Sequence, residues 1–441
     1  MKQVLVIASG FPPQGGGGVT RVHSFVKYMP ELGWKPVVLT LKEKYAYPHA
    51  IDASLLNEYD PSVEIFRTRS LEPGYSKGNS LKHKVTGFGS KRSASTTILR
   101  KITQIVYNWF LIPDERVLWI PFSLLKGLKL ISSKKIDIIF VTSPPHSVSI
   151  LGFLLKKYSG IPFILDIRDD WVGNRYFASQ LWHRQKLERY FESRVISAAD
   201  AIIVVTQESK DFVERKYPSA RERIYLIPNG FDPEDFRSCT ETEANRQKCR
   251  IVYSGSLTRR RNLHAFFEVL AELEQQQHIS DQLEILFVGT IHEDNMVVIQ
   301  DLNLENIVKF VDHVSHKESI QYLFDSDVCL LVSTSEEGSK TVIPSKIYEY
   351  IGAHKTILAL ADPDSSAARL IREGNIGIVI ASEDKENIKS SLLEILKRYQ
   401  TGNLKLELTP DYLNLFNRSC LTEKLTHIFN MLVQPIKKNT L

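Results

Sequence analysis

Residues 1–21 read MKQVLVIASGFPPQGGGGVTR, and the reading of this stretch decides the fold. VLVIAS (4–9) is an unbroken apolar run, the pattern of a parallel strand buried on both faces. A bare loop follows, with Gly15, Gly16, Gly17 and Gly18 in a row. RVHSFVKYMPELG (21–33) then shows helical apolar spacing with a stop at Gly33, and KPVVLTL (35–41) is a second strand. The chain therefore opens as a strand–helix–strand unit. A signal peptide is the competing reading of the start. Its apolar core of only about seven residues runs straight into Pro-Pro and glycine, so a buried first strand is expected.

Glycines between a strand and a helix let backbone N–H groups approach a phosphate or sugar, and the helix start behind them favours an anion. A dinucleotide fingerprint, G-x-G-x-x-G, fits only loosely, because Val19 and Thr20 occupy its later positions and Pro-Pro lengthens the loop. A flexible turn without a ligand is the alternative.

Outward from this unit the alternation continues. IDIIFVTS (136–143), PFILDI (162–167), AIIVVT (201–206) and RIYLIPN (223–229) are further strand candidates. Residues 233–249 are polar and strand-free, which marks a linker. RIVYSGS (250–256), LEILFVGT (283–290), IVKFVDHV (307–314), VCLLVST (328–334), TILALAD (356–362) and GIVIAS (377–382) then restart the pattern. The expected fold is α/β, with two Rossmann-like domains in tandem over 1–232 and 250–414 and a closing amphipathic helix within 415–441. A chain of 441 residues suits two domains, and its 43% hydrophobic and 24% charged content is globular. A net charge of +5 falls short of a dedicated nucleic-acid binder, so no nucleic-acid partner is expected; it suits anionic ligands or an anionic membrane surface. Cys239, Cys249, Cys329 and Cys420 form no metal-ligand or C-x-x-C spacing, which points to a reducing compartment without structural zinc. No apolar run approaches the ~20 residues of a membrane span.

Residues 75–119 break the rhythm. They combine Arg100, Lys101 and other cations with Trp109 and further aromatics. One reading is an insertion packed on the first domain. The other is a membrane-surface or lipid-acceptor patch.

Several strand ends carry chemistry. YSGSLTRRRNL (253–263) places Arg259, Arg260 and Arg261 where a helix start ordinarily prefers acidic residues, so a bound pyrophosphate would account for them. A solvated basic face is the alternative. In IPSKIYEYIGAHKTILAL (343–360), Lys346 and Glu349 lie one helical turn apart, suited to a phosphate and to sugar hydroxyls, or to a plain surface pair. TSPPHSVSI (142–150) and LDIRDDWVGN (165–174) follow strands, so His146, Asp166, Arg168, Asp169 and Asp170 crowd the carboxyl ends where ligands bind, with structural capping equally open for each.

Taken in order, FPPQGGGGVTR, PDERVLW, TSPPHS, DIRDDW, IPNGFD, SGSLTRRRN, HKESIQYLFDSDVCLLV and PSKIYEYIG resemble a bacterial family 4 retaining glycosyltransferase of the GT-B fold. The resemblance covers residues 1 to about 430. It implies a cleft between an acceptor-binding first domain and a second domain that binds a nucleotide sugar, with the last helix crossing back to the first domain. It places Gly16 and Gly17 over the donor diphosphate, Arg261 on a phosphate, Val314 near the nucleobase and Glu349 on the donor ribose. Three positions depart from the pattern. Thr341 stands where the first glutamate of E-x7-E belongs, and Ser256 where an arginine is common, with Arg259 or Arg260 as substitutes. Arg168 replaces the catalytic histidine, leaving Arg168, Asp169 and His146 as the catalytic candidates.

The expected reaction is transfer of a sugar from a nucleoside-diphosphate donor to a saccharide or lipid-linked saccharide, with retention and without metal or other cofactor. Surface polysaccharide assembly is the setting the resemblance suggests. The location expected is cytoplasmic, with peripheral contact at the inner face of the plasma membrane. Domain closure about residues 230–250 would exclude water. A nucleotide-sugar epimerase of the same fold and a non-catalytic sugar-binding relative are the alternatives.

Overall fold

The computed structural model describes residues 1–45, 51–72, 109, 111–172, 181–240, 247–258, 261, 263–312, 314–333 and 340–433. They divide into two compact units, one holding the described residues up to Pro228 and from Ser419 onward, the other those of Asn229–Arg418.

The first unit is a seven-stranded parallel sheet. Its strands are β1 (Lys2–Ile7), β2 (Trp34–Leu41), β3 (Glu64–Thr68), β4 (Ile138–Ser143), β5 (Phe163–Ile167), β6 (Ala201–Val204) and β7 (Ile224–Leu226). Their order is β3-β2-β1-β4-β5-β6-β7. The second unit is a six-stranded parallel sheet of β8 (Cys249–Ser254), β9 (Leu283–Val288), β10 (Val308–Val311), β11 (Val328–Val332), β12 (Thr356–Leu360) and β13 (Gly377–Ile380). Its order is β10-β9-β8-β11-β12-β13. Each sheet is doubly wound. Its order reverses beside the first strand, at β1/β4 and at β8/β11, and the loops after these strands open at a topological switch point where ligands bind. The glycine loop follows β1, TSPPHS follows β4, and GSLTRRR follows β8.

Strand β1 shows why the sheet is buried on both sides. Leu5 and Ile7 pack with Val37, Leu39 and Phe163 on one face. Val4 and Val6 pack with Val22, Phe25 and Leu425 on the other. The helix Arg418–Val433 belongs to this second face, where the Phe429 ring meets Trp34 edge-on at 5.1 Å.

The divisions fall elsewhere than the sequence suggests. Pro233–Arg237, read above as linker, is a short helix of the second unit. Pro233 opens it, and Asp232 caps it by accepting from the Glu234 N–H at 3.0 Å. Strand β8 begins at Cys249, and the chain returns to the first unit at Ser419 rather than at 415. Strand β10 ends at Val311, short of the stretch read as strand. Most of the 75–119 segment, including Arg100 and Lys101, lies outside the described residues. Its end is anchored: the carboxylate of Asp114 accepts from Arg116 N, Ser147 N and Ser147 Oγ, and Trp119 Nε1 donates to Thr68 Oγ1 at 2.6 Å.

Candidate active site

In the first unit the carboxyl ends of β1, β4 and β5 meet the helix Gly17–Tyr28. Gly16 precedes this helix at φ +97°, a conformation that favours glycine, and no side chain caps the helix. Gly17 begins it, so uncapped N–H groups lie at the glycine loop. Asp166 is fully buried at the end of β5. It accepts from Arg21 Nη2 at 2.9 Å and from Thr142 Oγ1 at 2.7 Å, and Arg21 also donates to the carbonyls of Ile227 and Pro228. This carboxylate is therefore a structural tie between the glycine-loop helix and the sheet.

Arg168 is a second tie. Its guanidinium donates to the carbonyls of Ser143, Pro144 and Gly18. A Cβ at Gly18 would lie 2.9 Å from Arg168 Nη1, so a larger residue there would push the guanidinium aside. Three of the five N–H donors of Arg168 are thus engaged by backbone. Beside it His146 stacks on Trp171, with centroids 4.9 Å apart and planes 2° from parallel. Burial, reinforced by Arg168, pushes the His146 imidazole down to about 3. It is neutral at physiological pH, which suits a hydrogen-bonding role and not a proton shuttle. Burial raises the Asp169 carboxyl, with Arg168 opposing, and Asp170 accepts from Ser209 Oγ at 2.9 Å. Behind His146 a small cavity is lined by Ser143, Ser149, Trp171 and Glu192 among others. His146 Nε2, Ser149 Oγ and Trp171 Nε1 are buried there without hydrogen-bond partners.

In the second unit, Gly255 and Gly289 follow β8 and β9 at φ +110° and +123°. A Cβ at Gly289 would stand 2.7 Å from the Gly255 carbonyl oxygen, and one at Gly255 would stand 2.7 Å from Lys346 Nζ. Two bare strand ends therefore make room for one ammonium. Lys346 Nζ lies 3.9 Å from the centroid of the Tyr253 ring, buried and without a hydrogen-bond partner. Burial and the neighbouring Arg261 push this amine down to about 7, against the pull of Glu349. Arg261 Nη1 donates to Tyr253 Oη at 2.5 Å and to the Ser256 carbonyl at 2.7 Å. Ser256 Oγ accepts from Thr290 Oγ1 at 2.9 Å. Two cations converge on one spot, and the ammonium has no anion bonded to it. Such a spot is built for an anionic ligand.

Glu349 lies one turn beyond Lys346 on the helix Lys346–Gly352. The surrounding pair was not legible in the sequence. His316 Nε2 meets Asp235 Oδ2 at 3.1 Å. Burial works against the charged imidazole, but Asp235 and Glu349 outweigh it and raise His316 to about 9. Val314 packs against the apolar cluster containing Ile320 and Leu323, a core contact. Thr341 is exposed. Arg259 and Arg260 lie outside the described residues. Tyr253 and Gly289 were also missed; a glycine ending a strand, as in FVGT, is the signal that marks a close backbone approach. Among the described residues no group of three or more His, Cys, Asp or Glu is placed to hold a metal ion.

The two halves match two family models. Residues 78–235 match the one described as Glycosyltransferase Family 4, and residues 239–405 the one described as Glycosyl transferases group 1. The chain belongs to the glycosyltransferases of the GT-B fold. A Bacillus subtilis glycosyltransferase named for teichuronic acid biosynthesis is 23% identical to this glycosyltransferase over 221 residues, which span 48% of the chain and 54% of that relative. The chain spans between 42% and 61% of the length of the curated relatives named as similar to it. Among solved structures, a sucrose-phosphate synthase from Thermosynechococcus elongatus superposes with a TM-score of 0.68 at 15% identity, covering 98% of this chain and 99% of that one. An Anabaena protein, HepE, in complex with UDP, superposes with a TM-score of 0.63 at 14% identity, covering 98% and 100%. At these identities the structural likeness establishes the two-sheet fold.

Proposed function

We propose that this glycosyltransferase transfers a sugar from a nucleoside-diphosphate donor to a saccharide or lipid-linked saccharide, with retention at the anomeric carbon, in surface polysaccharide biosynthesis. The observation that carries the reading is the Lys346 ammonium, buried without a hydrogen-bond partner beside Arg261. A donor diphosphate would supply the missing anion. As the glycosidic bond breaks, negative charge grows on the leaving diphosphate. Lys346 and Arg261 then stabilise it with fixed charges in a site partly shielded from water. Glu349, half-buried one turn away, accepts from sugar hydroxyls. The bare ends of β8 and β9 admit the phosphates close to backbone.

In the first unit, Gly16 and Gly17 offer uncapped N–H groups, His146 a neutral hydrogen-bonding ring, and Asp169 a carboxyl near Arg168. Arg168 acts there by holding the loop rather than by moving a proton. No described helix is long and apolar enough to cross a membrane. We place the reaction in the cytoplasm, with no metal or cofactor taking part.

The test is donor-dependent release of free nucleotide. The protein is incubated with a panel of nucleotide sugars and saccharide acceptors, and the product anomer is read by NMR. Release that requires an acceptor, with the donor's anomeric configuration kept, is expected. Turnover to an epimerised nucleotide sugar, or an inverted product, would overturn the reading.

A further inference from the structure

We propose that Trp171 and Ser149 are positioning residues for His146: through a water held between them they keep its ring proton on Nδ1, so that the imidazole meets the substrate as a hydrogen-bond donor. His146 ends the loop after β4 and precedes the helix Ser147–Ser159. Its ring lies flat on Trp171 and is only 9% exposed. The two ring nitrogens face different surroundings. Nε2 is cut off from solvent without a hydrogen-bond partner, whereas Nδ1 is not cut off. The Nε2 edge therefore belongs to the protein interior. The Nδ1 edge is left for a ligand at the carboxyl ends of the strands.

Trp171 Nε1 and Ser149 Oγ are also buried without partners, and both residues line the cavity behind Nε2. The cavity has room for about one water molecule, and a buried water typically bonds ~3 otherwise unpaired polar groups. Glu192 forms another part of the wall. Its carboxylate accepts from Val172 N at 3.1 Å, from Tyr217 Oη at 2.7 Å and from Lys216 Nζ. These bonds leave about one of its four acceptor sites open. Lys216 Nζ also donates to Val172 O at 2.6 Å, so the residue next to Trp171 is held from both its N–H and its carbonyl.

The number of hydrogens settles the tautomer. Trp171 Nε1–H can only donate, and the Ser149 hydroxyl carries a proton of its own. With Nε2 protonated as well, three protein hydrogens would face the two lone pairs of one water. With Nε2 bare, two donors meet two lone pairs, and the water's own hydrogens go to Nε2 and to Glu192. Each of these buried atoms is then paired, as burial demands. The imidazole is neutral, held down to about 3, so its single proton sits on Nδ1. From there it donates to an oxygen of the bound saccharide. That the ligand is a saccharide rests on the transferase reading above; the position of the proton does not.

The test is NMR of the full chain labelled with 13C and 15N at histidine, with the His146 signal assigned by its absence in His146→Gln. A neutral ring protonated on Nδ1 is expected in the wild type between pH 5 and 8. Trp171→Phe keeps a stacked ring and removes the N–H, and Ser149→Ala removes the hydroxyl. Both should move His146 toward a mixture of the two tautomers with the melting temperature recording that the chain is folded, and Ser149→Ala carries the test if Trp171→Phe does not fold. In the transfer assay each variant should lose roughly five- to ten-fold in kcat, the worth of about one hydrogen bond, with the KM for the nucleotide sugar little changed. A wild-type ring protonated on Nε2 would overturn the proposal, as would folded variants whose tautomer stays on Nδ1. A shifted tautomer with unchanged kcat would overturn the contact between Nδ1 and the substrate. Absence of sugar transfer by the wild type would count against the transferase reading alone, because the tautomer is read without turnover.

Discussion

Lys346→Met should make the free protein more stable and the liganded protein weaker. The amine is held near 7 in the folded chain against an ordinary value of 10.5. At neutral pH and below, keeping it charged in place costs the fold on the order of 5 kcal/mol. That figure already includes the pull of Glu349, and the Tyr253 ring face offsets a further part of it. A methionine of similar length keeps the packing and removes the charge, for a net gain of about 1–3 kcal/mol and a rise of a few degrees in Tm. The pH dependence gives the sign. The unfolded chain keeps this proton up to about 10.5, whereas the folded chain releases it near 7. Between these values the unfolded state binds more protons, so this residue makes wild-type stability rise with pH, and the advantage of the Lys346→Met variant shrinks to nothing by the upper end. Nucleoside-diphosphate binding moves the other way. The variant should bind roughly ten- to a hundred-fold more weakly at pH 7, from loss of a charge-assisted contact. In the wild type, binding draws a proton onto the amine, so affinity should fall as pH rises above 7, by up to about tenfold per unit. Denaturant titrations and calorimetry from pH 6 to about 10 measure both quantities. A destabilised variant with unchanged nucleotide affinity and an unchanged pH slope would show that Lys346 is neither a costly buried cation nor a ligand contact.

Gly255→Ala should cost about 1–3 kcal/mol, because φ is +110° and the new Cβ would press on Lys346 Nζ; differential scanning calorimetry and nucleotide titration should show both stability and affinity falling. Asp166→Ala should cost about 3–5 kcal/mol in urea unfolding, since it strands the buried Arg21 guanidinium. His316 is raised to about 9, so its pairing with Asp235 stabilises the fold fully below its ordinary 6.5 and loses that effect as pH climbs through 9. Asp235→Asn should therefore be destabilised by about 1–2 kcal/mol at pH 6, with solvent screening of this partly exposed pair, and match wild type above pH 9 or so. A high-resolution crystal structure should show ordered water on His146 Nε2, Ser149 Oγ and Trp171 Nε1, three buried polar atoms that share one cavity without protein partners.

The strands at the centre of each sheet were legible because they are buried on both faces and so read as unbroken apolar runs. Val4 to Ile7 and Val328 to Val332 are of this kind. Strand β3, EIFRT, was missed for the converse reason: it is an edge strand, half-exposed along its whole length, and its charged residues hide its pairing with Val37–Leu41. Lys346 and Arg261 could be singled out because cations at strand-to-helix turns are unusual. Their geometry could not. Tyr253, Gly289 and Lys346 converge only through the order β9-β8-β11, which no local pattern encodes. Asp166 and Arg168 stood at the expected strand ends. Their ties to Arg21 and Gly18 are about 150 positions away in sequence, so their structural engagement was invisible there.

Arg261 and Lys346 are proposed to hold the diphosphate of a nucleotide sugar. The most direct test is thermal unfolding of wild type and Arg261→Ala with UDP, GDP, ADP and CDP. A ligand that binds only the folded state stabilises it by about 2.7 kcal/mol at a hundred times its Kd. A clear rise in Tm with one of these nucleotides is expected in the wild type and not in Arg261→Ala. No rise with any of them, or a rise that persists in the variant, would contradict it.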